Sequence, residues 1–158
     1  MGTARRIRTV AATPQAVWDL VGDPHNFPRW WPGVTRMESV DGDRWTQVFM
    51  TKKGRPVRVD FRLLESEAPP ASGAERPGLR RWEQELAGSP FERVLSKSVT
   101  EVRIEPAGDG ARVTIEERQK LRGYSRFVGW MLRRASRTRL DEALEGLESA
   151  ADRRASRS

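Results

Sequence analysis

Three polar side chains occupy strand positions whose neighbours on the same face are apolar: Gln84, Glu117 and Gln119. Glu117 and Gln119 follow Val113 and Ile115 at every second position, so all four share one face of a strand. Polar groups on an inward face need hydrogen-bond partners. The pattern therefore predicts hydrogen bonding to a ligand, or acid–base chemistry by Glu117.

Two other interpretations of these polar residues remain open. They could lie at an open end of the sheet, or they could pair with arginines such as Arg122 and Arg126. An enzyme would also need a second group to complement Glu117, and Tyr124 is the other inward candidate. Glu117 is therefore the catalytic candidate of the chain, and binding without catalysis is the favoured hypothesis.

Several kinds of chemistry are excluded by composition. The chain has no cysteine, which removes disulfides, thiolate metal sites and cysteine nucleophiles. Its one histidine, His25, follows an Asp-Pro helix-start signal, which favours a surface or capping role. No phosphate-binding loop, dinucleotide fingerprint, zinc motif or nucleophile elbow occurs in the sequence. We therefore expect neither a metal nor a cofactor.

The chain carries a formal net charge of +7, nearly all of it from arginine. Four of the 29 basic residues are lysines, so 25 are arginines. Such a charge could serve binding to nucleic acid or anionic lipid, or it could simply solvate an arginine-rich surface. The second interpretation is favoured and nucleic acid is not an expected partner, because the arginines alternate with acids on the outer sheet, at Arg58, Arg62, Arg80, Arg103, Arg112 and Arg118.

No targeting signal or membrane-spanning run is visible. The first thirteen residues contain arginines without a continuous apolar segment behind them. No apolar run approaches the length needed to cross a bilayer. The sequence predicts a cytoplasmic protein without stable membrane insertion.

The elements follow one another in a simple order. Thr13-Pro14 and Asp23-Pro24 each predict the start of a short helix after a first strand. About six strands follow, of which residues 57–63 alternate most clearly between apolar and charged side chains. Residues 123–150 then show a helical period, and residues 152–158 form a basic tail that we expect to be disordered.

The hairpin around residues 52–55 sets which side chains share a face. A connection of two or four residues would place Val48 and Met50 on the face of Phe61. Trp45, Gln47 and Phe49 would then lie on the opposite face, whereas a three-residue loop would reverse the assignment. The first arrangement is the one that we expect.

Hairpin-linked strands predict an antiparallel sheet with one apolar face, and the C-terminal helix is the only large amphipathic cover for it. The predicted fold is therefore α+β, with a curved antiparallel sheet wrapped around that helix. Residues 13–21 (TPQAVWDLV), Asp23-Pro24 and residues 27–34 (FPRWWPGV) resemble the opening of the START-like helix-grip superfamily. More narrowly, the chain resembles its polyketide cyclase/dehydrase and lipid-transport branch from about residue 5 to residue 150. We expect one domain of this kind over residues 1–151.

The resemblance implies a cavity between the sheet and the C-terminal helix that binds a small hydrophobic molecule. The helix favours such a cavity, because Ala135, Ser136 and Thr138 are small residues between a bulky start, residues 127–132, and a leucine-rich end. A large side chain such as Trp82 filling the gap is the alternative. The expected lining consists of Val59, Phe61, Trp82, Gln84, Val113, Ile115, Glu117, Gln119, Val128, Leu132 and Ser136.

Three functions compete on this basis. A carrier or sensor for a hydrophobic ligand of lipid, polyketide or aromatic type is the leading hypothesis. The second is a polyketide cyclase/dehydrase-type enzyme that works in the same cavity. The third is a nucleic-acid or ribosome-associated module that would use the basic surface.

Overall fold

The computed structural model describes residues 2–71, 76–123 and 126–156. Within them, one strand, two short helices, six strands and a long helix follow one another in the predicted order, with a 3₁₀ turn at Pro24–Asn26 between the first two helices. The strands are β1 (Gly2–Val10), β2 (Val34–Asp41), β3 (Arg44–Met50), β4 (Pro56–Glu67), β5 (Gly78–Gln84), β6 (Leu95–Ala107) and β7 (Gly110–Leu121). The helices are α1 (Pro14–Val21), α2 (Phe27–Trp30) and α3 (Arg126–Ala155).

The strands form one seven-stranded sheet in the order β1-β7-β6-β5-β4-β3-β2. Every neighbouring pair is antiparallel. The helix α3 packs across the inner face, and ion pairs join it to the edge strand β1: Arg6 lies 3.2 Å from Asp141, and Arg8 lies 3.7 Å from Glu148. This arrangement confirms the predicted helix-grip fold.

Both predicted helix-start signals operate. The Thr13 hydroxyl accepts a hydrogen bond from the Ala16 amide at 3.1 Å, and Pro14 occupies the first helical position of α1. The Asp23 carboxylate accepts from the His25 amide at 3.0 Å and from His25 Nδ1 at 2.9 Å. The His25 side chain is otherwise exposed.

Helix α2 supplies aromatic side chains to the core. The Phe27 ring centroid lies 5.4 Å from those of Trp30 and Trp82 and 5.8 Å from that of Trp45. The same helix approaches α3 closely at Gly146, where an added Cβ would lie 2.3 Å from the Trp30 carbonyl oxygen. Gly146 is therefore required inside α3 despite its low helix propensity.

The hairpin assignment was wrong. Phe49 pairs with Val57 and Gln47 pairs with Val59. The last pair of the two strands is Met50 with Pro56, so five residues, 51–55, form the connection. Hydrogen bonds from the Thr51 amide to Arg55 O and from the Gly54 amide to Thr51 O close this turn, and Gly54 adopts φ 75°. An odd number of loop residues reverses the parity, so Trp45, Gln47 and Phe49 lie on the inner face with Phe61.

Arg80 was expected on the outer face of the sheet, but it lies on the inner face. It precedes Trp82 by two positions in β5, so both side chains share that face, and both are buried. Its Nη1 donates to Ser66 Oγ at 2.9 Å, and its guanidinium lies 5.8 Å from the Trp45 ring centroid. Burial lowers the pKa of Arg80, and the nearby carboxylate of Asp23 opposes that shift.

The outer face of the sheet carries the alternating charges that the sequence predicts there. Arg58 pairs with Glu38 at 2.8 Å, Arg62 with Glu83 at 3.1 Å and Arg112 with Glu105 at 3.0 Å. A further pair joins Arg81 to Glu101 at 2.7 Å, and there the hydrogen bond raises the pKa of the arginine. Much of the basic charge is therefore matched on this face.

The long helix differs from its prediction at both ends. It continues to Ala155, five residues beyond the predicted helix end at residue 150, so residues 152–155 are helical where a disordered tail was expected. Residues 157 and 158 lie outside the described part of the chain. The first turns of α3 were expected to contribute bulky side chains to the inward stripe. Instead Phe127, Trp130 and Met131 are exposed, and the buried stripe begins at Ser136 and continues through Leu140, Leu144 and Leu147.

Candidate functional site

A cavity of about 800 Å³ lies between the inner face of the sheet and the middle of α3. It forms where α3 presents Ala135, Ser136 and Thr138, since side chains this short leave space between the helix and the sheet. Strands β3 to β7 supply the opposite wall. Phe91 and Val94, from the connection between β5 and β6, and Pro32 and Gly33, after α2, complete the lining.

Apolar side chains form most of the wall. The strands contribute Phe49, Val57, Val59 and Phe61. Trp82 and Trp31 also line the cavity, with ring centroids 6.0 Å apart, and Trp30 instead belongs to the core. A wall of this kind favours ligands with a large apolar surface.

The polar part of the wall centres on Glu117, which is 5% exposed. Its Oε1 accepts hydrogen bonds from Ser136 Oγ at 2.8 Å and from Arg139 Nη2. The same Arg139 nitrogen lies 3.2 Å from Ser136 Oγ, and the arginine side chain is 37% exposed. The carboxylate is therefore held by a cation from α3, as one of the sequence interpretations allowed.

The arginine that holds Glu117 is a different one from those expected. Arg122 donates from Nε to the Leu95 carbonyl at 3.4 Å, and the side chain of Arg126 lies outside the described residues. Arg139 follows Ser136 by three positions on α3, so both reach the same patch of the sheet. Tyr124, the other inward candidate, also lies outside the described residues.

Gln47 adds an unmatched hydrogen-bond acceptor to the cavity. The residue is 1% exposed, and its Oε1 has no hydrogen-bond partner. Ser98 and Thr100 supply hydroxyl groups on β6 in the same cavity. A buried acceptor without a partner is costly, so a ligand hydroxyl or amine that donated to Gln47 would stabilise the complex.

Eight of the eleven expected lining residues lie on the cavity wall: Val59, Phe61, Trp82, Gln84, Glu117, Gln119, Leu132 and Ser136. The other three do not. Val113 and Ile115 are fully buried in the core, because the leucine-rich half of α3 and the helix α1 fill that part of the sheet. Val128 lies in the first turn of α3, before the cavity begins at Leu132.

Sequence reasoning missed Gln47, Phe49, Thr100 and Arg139 as cavity residues. The first two were assigned to the outer face by the hairpin parity. Thr100 lies in a strand whose inner face the sequence pattern did not assign. The helical spacing from Ser136 was the available signal for Arg139.

The described residues contain neither a group of side chains that could hold a metal ion nor a helix that could span a membrane. No group of His, Asp and Glu side chains in residues 2–71, 76–123 and 126–156 is arranged to hold a metal ion. Among the helices in that part of the chain, none is long and apolar enough to cross a membrane.

The family model that matches the chain is described as polyketide cyclase / dehydrase and lipid transport, and it covers residues 1–152. No curated protein sequence matches significantly. Among solved structures, the di-domain aromatase/cyclase BexL of the BE-7585A biosynthetic pathway aligns with a TM-score of 0.75 at 22% identity, over 96% of this chain and 47% of that one.

Two single-domain structures align over almost their whole length. A START superfamily protein from Mycobacterium smegmatis gives a TM-score of 0.72 at 12% identity, over 97% of this chain and 99% of that one. The protein XoxI from Bacillus cereus gives 0.71 at 16% identity, over 95% of each chain. At these identities the similarity shows a shared fold.

Proposed function

Because the chain belongs to the polyketide cyclase/dehydrase and lipid transport family, within the START-like helix-grip superfamily, we propose that it binds a small hydrophobic molecule as a carrier or sensor. The ligand, of lipid, polyketide or aromatic type, occupies the cavity between the sheet and α3. The observation that carries the proposal is the cavity itself, whose volume of about 800 Å³ falls within the range of small-molecule sites.

The cavity wall supports an apolar ligand that carries a few oxygen atoms. Phe61, Trp31 and Trp82 offer surface to an apolar body. Gln47 offers an acceptor, and Arg139 at the edge of the cavity offers donors beyond those used by Glu117. A ligand hydroxyl can both donate and accept, so it would match either side of this polar wall.

The test is binding of a hydrophobic fluorescent dye, with native mass spectrometry of freshly purified protein to look for a retained molecule. Wild type should bind the dye with one-to-one stoichiometry. Ala135→Trp places a large side chain in the cavity and should abolish dye binding with little loss of stability, because Ala135 has space on both the cavity and solvent sides.

Ser149→Trp is the matched control, since Ser149 is an exposed position of the same helix that does not line the cavity. It should bind the dye as wild type does. Equal dye binding by wild type and Ala135→Trp would show that the dye binds elsewhere, and the ligand-binding proposal would then lose its support.

A cyclase or dehydratase activity in the same cavity is the second candidate, and one arrangement favours it. Glu117 is joined by Ser136 and Arg139, which supply the complementary polar groups that an acid–base site needs. The solved structures of similar fold include BexL and StfQ, both described as aromatase/cyclases from biosynthetic pathways.

Glu117→Gln separates the two candidates. If the protein only binds, affinity for an identified ligand should change by about tenfold or less, because a neutral acceptor replaces a charged one, a difference of about 1 kcal/mol. If it catalyses cyclisation of a polyketide substrate, turnover should fall by about a thousandfold or more while binding persists, since the proton-transferring group is lost.

A further inference from the structure

The first turns of α3 expose a cluster of large apolar side chains, which we call the aromatic patch: Phe127, Trp130 and Met131. They are 67%, 48% and 51% exposed, respectively. The rings of Phe127 and Trp130 stack with centroids 6.2 Å apart. The large apolar residues that are exposed on the strands, such as Ile7 and Leu64, are isolated from one another in sequence and lie on separate strands. A contiguous apolar cluster on a surface indicates an interaction site.

Basic side chains accompany this patch without acidic ones. Between residues 126 and 140 the chain has five arginines and no aspartate or glutamate. Arg139 is used by Glu117, and the Arg134 guanidinium lies 5.7 Å from the Trp130 ring centroid. Arg134 and Arg137 are both exposed, and neither forms an ion pair with a carboxylate in the described part of the chain.

The other half of the same helix shows that these arginines are unusual. There Asp141, Glu145 and Glu148 pair with the arginines of β1. The outer face of the sheet matches its arginines in the same way. Arg134 and Arg137 therefore place unmatched positive charge beside the exposed aromatic rings.

The aromatic patch adjoins the cavity. Met131 precedes Ala135 by four positions and Thr138 by seven, so the three share one stripe of α3, and the last two line the cavity. Leu132, the next residue after Met131, also lines it. A surface that the patch contacts would thus lie beside the cavity wall.

We infer that the start of α3 docks reversibly on an anionic lipid bilayer. Phe127, Trp130 and Met131 would enter the boundary between headgroups and acyl chains, while Arg134 and Arg137 contact lipid phosphates. This inference goes beyond ligand binding and does not require an occupied cavity. A bilayer fits better than a nucleic acid, because Phe127 and Trp130 stack on each other and a base would have to separate them.

The test is sedimentation of the full chain with phosphatidylcholine vesicles that contain about one third phosphatidylglycerol, a composition that supplies the negative surface potential. Wild type should bind these vesicles, bind pure phosphatidylcholine at least tenfold more weakly, and dissociate at about 1 M salt, where charge attraction is screened. Trp130 is the one exposed tryptophan in the described residues, so its fluorescence should shift to the blue on binding.

Two pairs of variants test the two components of the surface. Arg134→Gln with Arg137→Gln should weaken binding by about thirtyfold, since each arginine near an anionic surface contributes about fivefold. Arg153→Gln with Arg154→Gln removes the same charge from exposed positions at the other end of α3 and should leave binding unchanged.

Phe127→Ser with Trp130→Ser should weaken vesicle binding at least tenfold through loss of buried apolar area. The control is Ile7→Thr with Leu64→Thr, which removes exposed apolar side chains elsewhere and should have no effect. Far-ultraviolet circular dichroism of every variant should match wild type. Equal losses in test and control variants would refute the docking surface.

The remaining outcomes also decide the question. Failure of wild type to bind anionic vesicles overturns the inference, as does binding of a single-stranded oligonucleotide in place of the vesicles. Ala135→Trp should still bind vesicles although it loses dye binding, because it leaves the aromatic patch and Arg134 and Arg137 in place. A protein that binds vesicles but no dye would keep the docking surface and reject the proposed ligand function, and the converse result would do the opposite.

Discussion

Replacing Arg139 by methionine should be far more destabilising than replacing its partner Glu117 by glutamine. Glu117 is almost fully buried, so without Arg139 its charge remains on the cavity wall with Ser136 Oγ as the only protein donor in the cluster. Removing one partner of a buried ion pair costs about 3–5 kcal/mol. We expect about 3 kcal/mol, near the lower limit, because the hydrogen bond from Ser136 is retained.

The reverse substitution leaves a different residue behind. In Glu117→Gln the amide can still accept from Ser136, and Arg139 is already 37% exposed, so its guanidinium can turn to water. The expected cost is about 1 kcal/mol, typical of one lost hydrogen bond. The double variant contains no buried charge and should also cost about 1 kcal/mol, which makes the two substitutions strongly non-additive.

The assay is guanidinium or urea unfolding at neutral pH for all four proteins, with the slope of the unfolding free energy checked for constancy. For a domain of this size each kcal/mol corresponds to about 2–4 °C in Tm, so Arg139→Met should melt roughly 10 °C below wild type. Arg112→Met is the control, since Arg112 and Glu105 form an exposed pair that should contribute about 0.5 kcal/mol or less. Additive effects, or a cost of Arg139→Met as small as that of the control, would refute a buried ion pair on the cavity wall.

Two further predictions test the parts of the fold that position the site. Burial, the largest single effect, would raise the pKa of Asp23, but the hydrogen bonds from the amide and ring of His25 together outweigh it and lower the pKa. A lowered carboxyl pKa stabilises the fold above the unfolded value near 3.9, and this stabilisation is lost as pH falls through the folded pKa. Asp23→Ala should therefore lose about 1 kcal/mol at pH 7 and almost nothing near pH 2, whereas Asp23→Asn, which keeps a cap, should lose less at pH 7. Denaturant titrations over a pH series measure these differences. Gly146→Ala should destabilise the protein, because the added Cβ would lie 2.3 Å from the Trp30 carbonyl oxygen. Gly129→Ala is the control: its Cβ has only contacts of 3.5 Å, so it should stabilise α3 by up to about 1 kcal/mol. A higher Tm for Gly146→Ala than for wild type would contradict the close approach of α2 and α3.

The fold was predictable because its strongest signals are local. The caps at Thr13 and Asp23, the alternation of residues 57–63 and the helical stripe through Leu140 and Leu147 each specify one element. An antiparallel sheet with one amphipathic cover leaves few other arrangements. The small residues in the middle of α3 likewise indicated where the cavity lies.

The membership of the cavity wall was less predictable, because it depends on two distances that local patterns do not encode. One is the length of the turn between Met50 and Pro56, where a single residue reverses the face of Gln47 and Phe49. The other is how far the cavity extends along β7. Val113, Ile115 and Glu117 share one face, and the packing of α1 and the second half of α3 decides that Val113 and Ile115 are covered.

The long helix combines two different surfaces, and its composition changes where they meet. From Leu140 onward it has buried leucines, acids that pair with β1, and Gly146 where α2 approaches. Before Leu140 it has small residues over the cavity and exposed aromatic rings among arginines. The half of α3 after Leu140 is firmly packed and can hold the helix in place, while the half before it stays free of the core. The cavity and the aromatic patch therefore do not leave the hydrophobic core unfilled. Residues 127–132 were predicted to be buried because they are apolar on every side of the helix. Their arginine neighbours are the signal that distinguishes the proposed lipid-binding surface from a helix face that packs on the sheet.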